Sequence, residues 1–256
     1  MRLLLLNPNT STFVTERVSA QARQSAQRGT VIVPVTGRFG ARVIATRTEQ
    51  AIAEHATLDA LARHADGCDA VVLAVSYDTA LLAAREMLAV PVVGITEAAL
   101  LTACMLGTRI GVVVLGRRVL PLYQERVAGY GLAGRIGGWR ALESDAPYGG
   151  GNPHGADPQI VQAARDLVER DGCEVIVLAG AVMAGAPTRL QSQLPVPLVE
   201  GVSCAVAQAE LLVRLGCPKA SAGSLAPLPR RTVTGVSRAL RARFATPPER
   251  LRKAKS

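Results

Sequence analysis

The chain reads as an α/β protein of two pseudo-symmetric lobes, each a mostly parallel sheet flanked by helices, with the active-site cleft between them. Three observations predict this. A stretch is duplicated: GCDAVVLAVSYD from Gly67, a helical run and PVVGITEAAL from Pro91 return as GCEVIVLAGAVM from Gly172, a helical run and PLVEGVSCAV from Pro197. The apolar run in each copy lacks polar alternation, as expected of strands buried on both faces of a parallel sheet. With 49% hydrophobic and only 3% aromatic residues, 256 residues supply an ample core packed from Ala, Val and Leu. In open parallel sheets ligands collect beyond the carboxyl ends of the strands. Residues 75–78 and 180–183 therefore become paired positions facing one cleft. The expected division is residues 1–98 with 206–256 as the first lobe and its C-terminal return, and 99–205 as the second.

Each element follows in order. Residues 3–6 make the first strand, and Asn7-Pro8-Asn9-Thr10-Ser11 the turn after it. Pro8 removes a donor, and Thr10, Ser11 or Thr12 can cap a helix running to about Ala26. A strand at 31–35 leads into residues 36–46, where Gly37, Gly40, Arg38 and Arg42 suggest a mobile loop over the cleft. A helix at 49–65 with Ile52, Leu58 and Leu61 at helical spacing precedes the strand at 70–75. A helix from Asp78 to Met87, a strand at 90–94 and a helix at 96–105 close the first half. The second half restarts with strand 110–115, helix 117–130 and strand 136–142. Residues 143–158, rich in Gly and Pro, form the longest stretch without a pattern, a lid or a disordered loop. Helix 158–170, strand 174–179, helix 188–193, strand 196–199 and helix 201–215 follow, with a last helix near 233–244.

Composition narrows the function. The formal charge of +9 is concentrated in the tail, where residues 230–256 hold nine Lys and Arg against one acidic residue. A basic tail of this kind is a solvated surface, and with so few aromatics to stack on bases no specific nucleic-acid partner is expected. The opening apolar run of four leucines is too short for a membrane span, so a cytoplasmic protein without membrane contact is expected. Cys68, Cys104, Cys173, Cys204 and Cys217 have no CxxC or Cys/His spacing and read as free thiols; His55, His64 and His154 share no metal-ligand spacing, so no metal is expected. Neither a GxGxxG opening a helix after the first strand nor a P-loop is present.

The candidate site residues come from the strand ends. Ser76, Tyr77 and Asp78 bring a hydroxyl, a phenol and a carboxylate to the mouth of the first lobe and are the catalytic candidates. Asp78 reads equally as the cap of the helix that follows it. Asn7, Asn9, Thr10 and Ser11 offer amides, hydroxyls and backbone N–H groups suited to a small carboxylate, ureide or imide. Asn-Pro-Asn is also a good turn in its own right.

These residues carry a resemblance. The Asn7-Pro8-Asn9-Thr10-Ser11 turn, Asp78-Thr79-Ala80-Leu81 with Ala84-Arg85-Glu86, Pro91-Val92-Val93-Gly94-Ile95 with Glu97-Ala98-Ala99, and Pro197-Leu198-Val199-Glu200-Gly201-Val202 resemble the aspartate/glutamate/hydantoin racemase superfamily, most closely its hydantoin and allantoin racemase branch. The resemblance spans residues 2 to about 215. It implies two pseudo-symmetric lobes with the active site between them, no metal and no pyridoxal or other cofactor; a small-molecule substrate and a homo-oligomer are expected. It also implies a scaffold that hosts several reactions, malonate decarboxylation and maleate isomerisation among them.

The mechanism implied is inversion of a carbon centre by two thiols, one per lobe, one removing the α proton while the other delivers a proton to the opposite face. At the matching positions this chain has Val75, in Val75-Ser76-Tyr77-Asp78, and Gly180, in Ala179-Gly180-Ala181-Val182-Met183. A hydroxyl pair after the strand opening the second half is replaced by Val114 and Leu115. Val75, Val114, Leu115, Gly180 and Ala181 are then binding contacts, and a standard two-thiol racemase is not expected. Two functions stay open. One is an enzyme acting on a small cyclic ureide, imide or amino-acid derivative by hydrolysis, elimination or one-base isomerisation. The other is a non-catalytic small-molecule binding or regulatory protein on the same scaffold.

Overall fold

The computed structural model describes residues 1–143 and 154–245. Most of the predicted 143–158 loop and the end of the basic tail lie outside the described residues. Two four-stranded parallel sheets form the frame. The first has the order β2-β1-β3-β4, from Arg2–Asn7 (β1), Val31–Thr36 (β2), Ala70–Leu73 (β3) and Val92–Gly94 (β4). The second has the order β6-β5-β7-β8, from Ile110–Leu115 (β5), Ile136–Leu142 (β6), Val175–Ala179 (β7) and Leu198–Glu200 (β8). The identical order, together with the registers Leu73 to Gly94 and Leu178 to Glu200, makes the two halves equivalent position by position.

The helices are Thr12–Ser25 (α1), Arg47–His64 (α2), Leu81–Met87 (α3), Ile95–Leu106 (α4), Leu120–Gly129 (α5), Asp157–Asp171 (α6), Ala186–Leu190 (α7), Gly201–Leu215 (α8) and Arg238–Ala245 (α9). Both faces of the sheets are covered, which is why the strands read as unbroken apolar runs. Leu3 and Leu5 of β1 enter one core cluster with Val72, Val113 and Leu178, while Leu4 and Leu6 enter another with Val71, Leu73, Val112 and Val177. Each cluster draws on both lobes. The lobes also exchange their last helices: α4, which follows β4, packs on β7 and β8, and α8, which follows β8, packs on β3, β4 and α1. The expected division points, 98/99 and 205/206, thus fall inside the two helices that cross between lobes.

Several helix starts differ from expectation. Residues 76–78 form a short 3₁₀ turn in which Tyr77 has φ 66° and Asp78 φ 49°, and α3 begins only at Leu81, after Ala80 at φ 62°. Residues 117–119 likewise form a 3₁₀ turn, and α5 starts at Leu120 with Pro121 in its first turn, where a missing N–H costs nothing. The last helix starts near Ser237, whose Oγ accepts the Leu240 N–H at 3.1 Å, later than the 233 expected. The helix expected at 188–193 is α7 followed by a 3₁₀ turn at Gln191–Gln193. Among the described residues no helix is long and apolar enough to cross a membrane.

Where α4 and α8 cross, a Cβ on Gly201 would sit 2.5 Å from the carbonyl oxygen of Ile95. Gly201→Ala is therefore expected to destabilise the chain by roughly 2–4 kcal/mol in urea unfolding, by forcing the backbones apart. The control Gly134→Ala, whose Cβ would meet nothing within 4 Å, should change stability by no more than about 0.5 kcal/mol.

Candidate active site

The turn after β1 is built by its own side chains. Asn7 is fully buried, and its Nδ2 donates to Asn9 Oδ1 (2.8 Å), Thr15 Oγ1 (3.0 Å) and the Ser11 carbonyl (3.1 Å). Asn9 Oδ1 also accepts the Ser11 N–H at 2.9 Å, and Ser11 caps α1 through the Val14 N–H. The loop after β2 is stitched to this turn. The Gly37 N–H donates to the Asn7 carbonyl at 2.7 Å and the Thr10 N–H to the Ala41 carbonyl at 3.1 Å. A Cβ at Gly37 would lie 2.1 Å from the Pro8 carbonyl oxygen, so only glycine permits this approach. The stitching brings Arg42, Val43 and Ile44 over the cleft as its cover.

The first-lobe wall is the strained turn after β3. Three non-glycine residues with positive φ within four positions store on the order of 1 kcal/mol each, and such strain persists only where surroundings over-determine it. Here Asp78 does so. Its Oδ1 accepts the Thr96 N–H (2.9 Å), and its Oδ2 accepts the Glu97 N–H (2.7 Å) and the Tyr130 O–H (2.6 Å). Asp78 is thus a helix cap, of α4 rather than of α3, the helix that follows it in sequence. Gly94 makes the room, since a Cβ there would be 2.3 Å from Asp78 Cγ. Complete burial pushes the Asp78 carboxyl up to about 6, and the three donors hold it from rising further.

The opposing wall is Ala179 at the end of β7 with Gly180, Ala181 and Val182 beyond it. Tyr123 of α5 donates to the Ala179 carbonyl at 2.9 Å, and its ring lies 4.6 Å from that of Tyr77 at 55°, so one aromatic pair bridges the lobes. Gly180 has φ 154°, and a Cβ on it would be 3.3 Å from Met183 Cε and 3.8 Å from Tyr123 Oη. The enclosed space is about 40 Å³, room for a few waters with the cover in this position.

Of the residues singled out by sequence, Asn9, Val75, Ser76, Tyr77, Leu115, Gly180 and Ala181 come together on this cleft. Asn7, Thr10 and Ser11 stand behind it as turn and cap, outside its lining. Val114 points to the other side of β5, into the core with Val112 and Val177, because successive strand residues face opposite ways. Asp78 is sealed beneath the wall with no exposed surface. Tyr123, Val119 and Val14 line the cleft without having been singled out, although a tyrosine in a chain this poor in aromatics, on the helix after β5, was a usable signal.

No thiol lines the cleft. Cys68 and Cys173 precede β3 and β7, at the opposite ends of those strands, and burial raises both thiols. Cys204 on α8 is pushed up to about 11 by burial. Among the described residues no group of His, Cys, Asp and Glu could hold a metal ion.

Two similar parallel α/β lobes with exchanged helices, closing on a small cleft at their strand ends, define a two-lobed α/β fold. The sequence model of the Asp/Glu/hydantoin racemases matches residues 3–209, and the chain belongs to that family. It is 32% identical to the hydantoin racemase of Paenarthrobacter aurescens over 226 residues, covering 88% of this chain and 96% of that protein. The allantoin racemase of Klebsiella pneumoniae superposes with a TM-score of 0.87 at 34% identity, over 92% of this chain and 96% of that one. The allantoin racemase of Pseudomonas fluorescens gives 0.87 at 36% identity, over 92% and 100%.

Asp78 also gives a pH signature. Its pKa is raised in the folded chain from an ordinary 3.8 to about 6, so the fold favours the protonated form. The cost of burying the charge is present above about pH 6 and is relieved as the pH falls towards 4. Relative to Asp78→Asn, the unfolding free energy of the parent chain should rise by about 2 kcal/mol between pH 7.5 and pH 4.5. A pH-independent difference between the two in urea melts would contradict the assignment.

Proposed function

We propose that the chain takes a small cyclic ureide or imide, or a related amino-acid derivative, into the inter-lobe cleft and acts on it without a cofactor and without two-thiol proton exchange. The substrate class is carried over from the hydantoin and allantoin racemases it resembles. The observation that carries the altered chemistry is the pair Val75 and Gly180 at the two strand ends lining the cleft. Inverting a carbon centre needs an acid and a base on opposite faces, each contributing about 100- to 10,000-fold. Neither an isopropyl group nor a hydrogen atom moves a proton.

The lining still holds polar groups, drawn from both lobes. Ser76 and Tyr77 offer a hydroxyl and a phenol from the first lobe, and Tyr123 a phenol from α5. Asn9 supplies an amide and Arg42 a positive charge for a carboxylate or a developing oxyanion. Ala181 and Val182 supply shape alone. One donor beside a polarised carbonyl suits hydrolysis, elimination or one-base isomerisation, with Ser76 and Tyr77 as the catalytic candidates and Asp78 setting their wall. The cover of Arg42, Val43 and Ile44 must shift to admit a ring.

A second reading is a binding or regulatory protein on the same scaffold. It is favoured by the lining itself, which contains no carboxylate, imidazole, amine or thiol among the described residues. Incubation with 5-substituted hydantoins, allantoin and cyclic imides in deuterated water, followed by proton NMR and chiral chromatography, separates the two. The enzyme reading expects turnover or α-proton exchange that falls at least about 100-fold in Tyr77→Phe or Ser76→Ala. Binding by calorimetry with no turnover would leave the second reading. Racemisation with deuterium uptake that is undiminished in both Ser76→Ala and Tyr77→Phe would overturn both.

A further inference from the structure

We propose that Tyr130 is the positioning residue for the first-lobe wall of the cleft, reaching from the end of α5 to the Asp78 carboxylate and so holding Tyr77 in place. The cleft it serves is the one proposed above to receive the ligand.

The argument begins with the spacing on α5. Tyr123, Val127 and Tyr130 stand at i, i+4 and i+7, one stripe of a helix, about 10 Å from end to end. Tyr123 and Val127 are buried, and Tyr130 is the C-cap that follows the last residue of α5. This single stripe meets two consecutive residues of the strained turn. At one end the Tyr123 ring lies 4.6 Å from that of Tyr77; at the other the Tyr130 hydroxyl donates to Asp78 Oδ2 at 2.6 Å. The helix belongs to the second lobe and the turn to the first. The turn is therefore registered against the opposite lobe at two points, one by ring contact and one by a charge-assisted hydrogen bond.

The second point governs the first. Tyr77 and Asp78 both have positive φ, a conformation that their side chains disfavour and that must be held from outside. The backbone of Asp78 is held through its carboxylate, and two of the carboxylate's three donors come from α4. Tyr130 is the third and, among the described residues, the only one from the second lobe. Removing it leaves a fully buried carboxylate short of a donor, with Glu97 of α4 as a neighbouring negative charge. Arg126 of α5 acts on Tyr130, and Arg85 of α3 is held by Glu97 at 2.5 Å. Neither guanidinium replaces the missing hydroxyl.

Tyr130→Phe in the full chain keeps the ring and deletes only the donor. Two ligand-free measurements are decisive. Amide hydrogen exchange should become about 10-fold faster at residues 76–80 and 96–97 and remain unchanged in β5 and β7, the effect of losing one hydrogen bond to a charged group. The titration midpoint of Asp78, followed by carbon NMR of labelled carboxyls, should rise above its value of about 6, because the lost donor favoured the ionised form. Unchanged exchange in the turn, an unchanged midpoint, or acceleration spread evenly over the chain would each overturn the proposal. Any hydantoin, allantoin or imide that binds the parent chain should bind Tyr130→Phe about 10-fold more weakly. Failure of every such compound to bind the parent chain would count against the substrate class alone, since the exchange and titration results stand without a ligand.

Discussion

The crossing of α4 and α8 is the constraint on which the structure depends. Each helix leaves the last strand of one lobe and packs on the sheet of the other, and Gly201 lies directly against the Ile95 carbonyl at the crossing. Neither sheet could be covered on both faces by its own half of the chain. Exchange of helices supplies the missing layer twice over and merges the two cores into clusters shared between lobes. It also orients the sheets so that the carboxyl ends of β1, β3, β5 and β7 approach one small space.

Within that frame the duplicated halves have diverged in a complementary way. Equivalent registers place Asp78 opposite Met183, Ala80 opposite Gly185 and Gly94 opposite Glu200. In the first lobe the amino end of α4 is capped by Asp78 from a distant turn, and Gly94 leaves space for it. In the second, Glu200 caps α8 from the adjoining position, accepting the Val202 and Ser203 N–H groups at 2.7 and 2.8 Å, and burial raises its carboxyl. Both helix ends are satisfied by a buried carboxylate, delivered differently. Because the first lobe delivers its cap from the cleft wall, that wall is tied down and carries Ser76 and Tyr77. The second-lobe wall, free of that duty, is reduced to Gly180, Ala181 and Val182. Of the two strand-end turns the first-lobe one alone lines the cleft with polar side chains, Ser76 and Tyr77, while Tyr123 of α5 is the polar group on the second-lobe side.

Much of this was legible in the sequence because it rests on local or repeated patterns. Unbroken apolar runs gave the buried strands, the repeat gave the two lobes, and Asn-Pro-Asn gave the first turn, with Ser11 one of three residues offered as its cap. The matching strand ends led to Val75 and Gly180. What stayed hidden depends on contacts between distant residues. Asp78 precedes one helix and caps another about seventeen residues further on, a choice made by the space at Gly94 and invisible in local spacing. Val114 and Leu115 are neighbours, and only the pleat of β5 in place decides that Leu115 meets the cleft. Tyr123 and Tyr130 matter through a helix stripe whose orientation is fixed by the opposite lobe. Propensity describes a residue's neighbours in sequence; the cleft is assembled from residues that are not.

The central claim is that a small ring sits between Val75 and Gly180 with no thiol at either side. A crystal structure of the chain soaked with a 5-substituted hydantoin or allantoin tests it most directly. The account predicts the ring in the inter-lobe space, the stereocentre flanked by those two residues, and polar contacts confined to Asn9, Arg42, Ser76, Tyr77 and Tyr123. A ligand seated elsewhere, or a cysteine sulfur within bonding reach of the stereocentre, would contradict it.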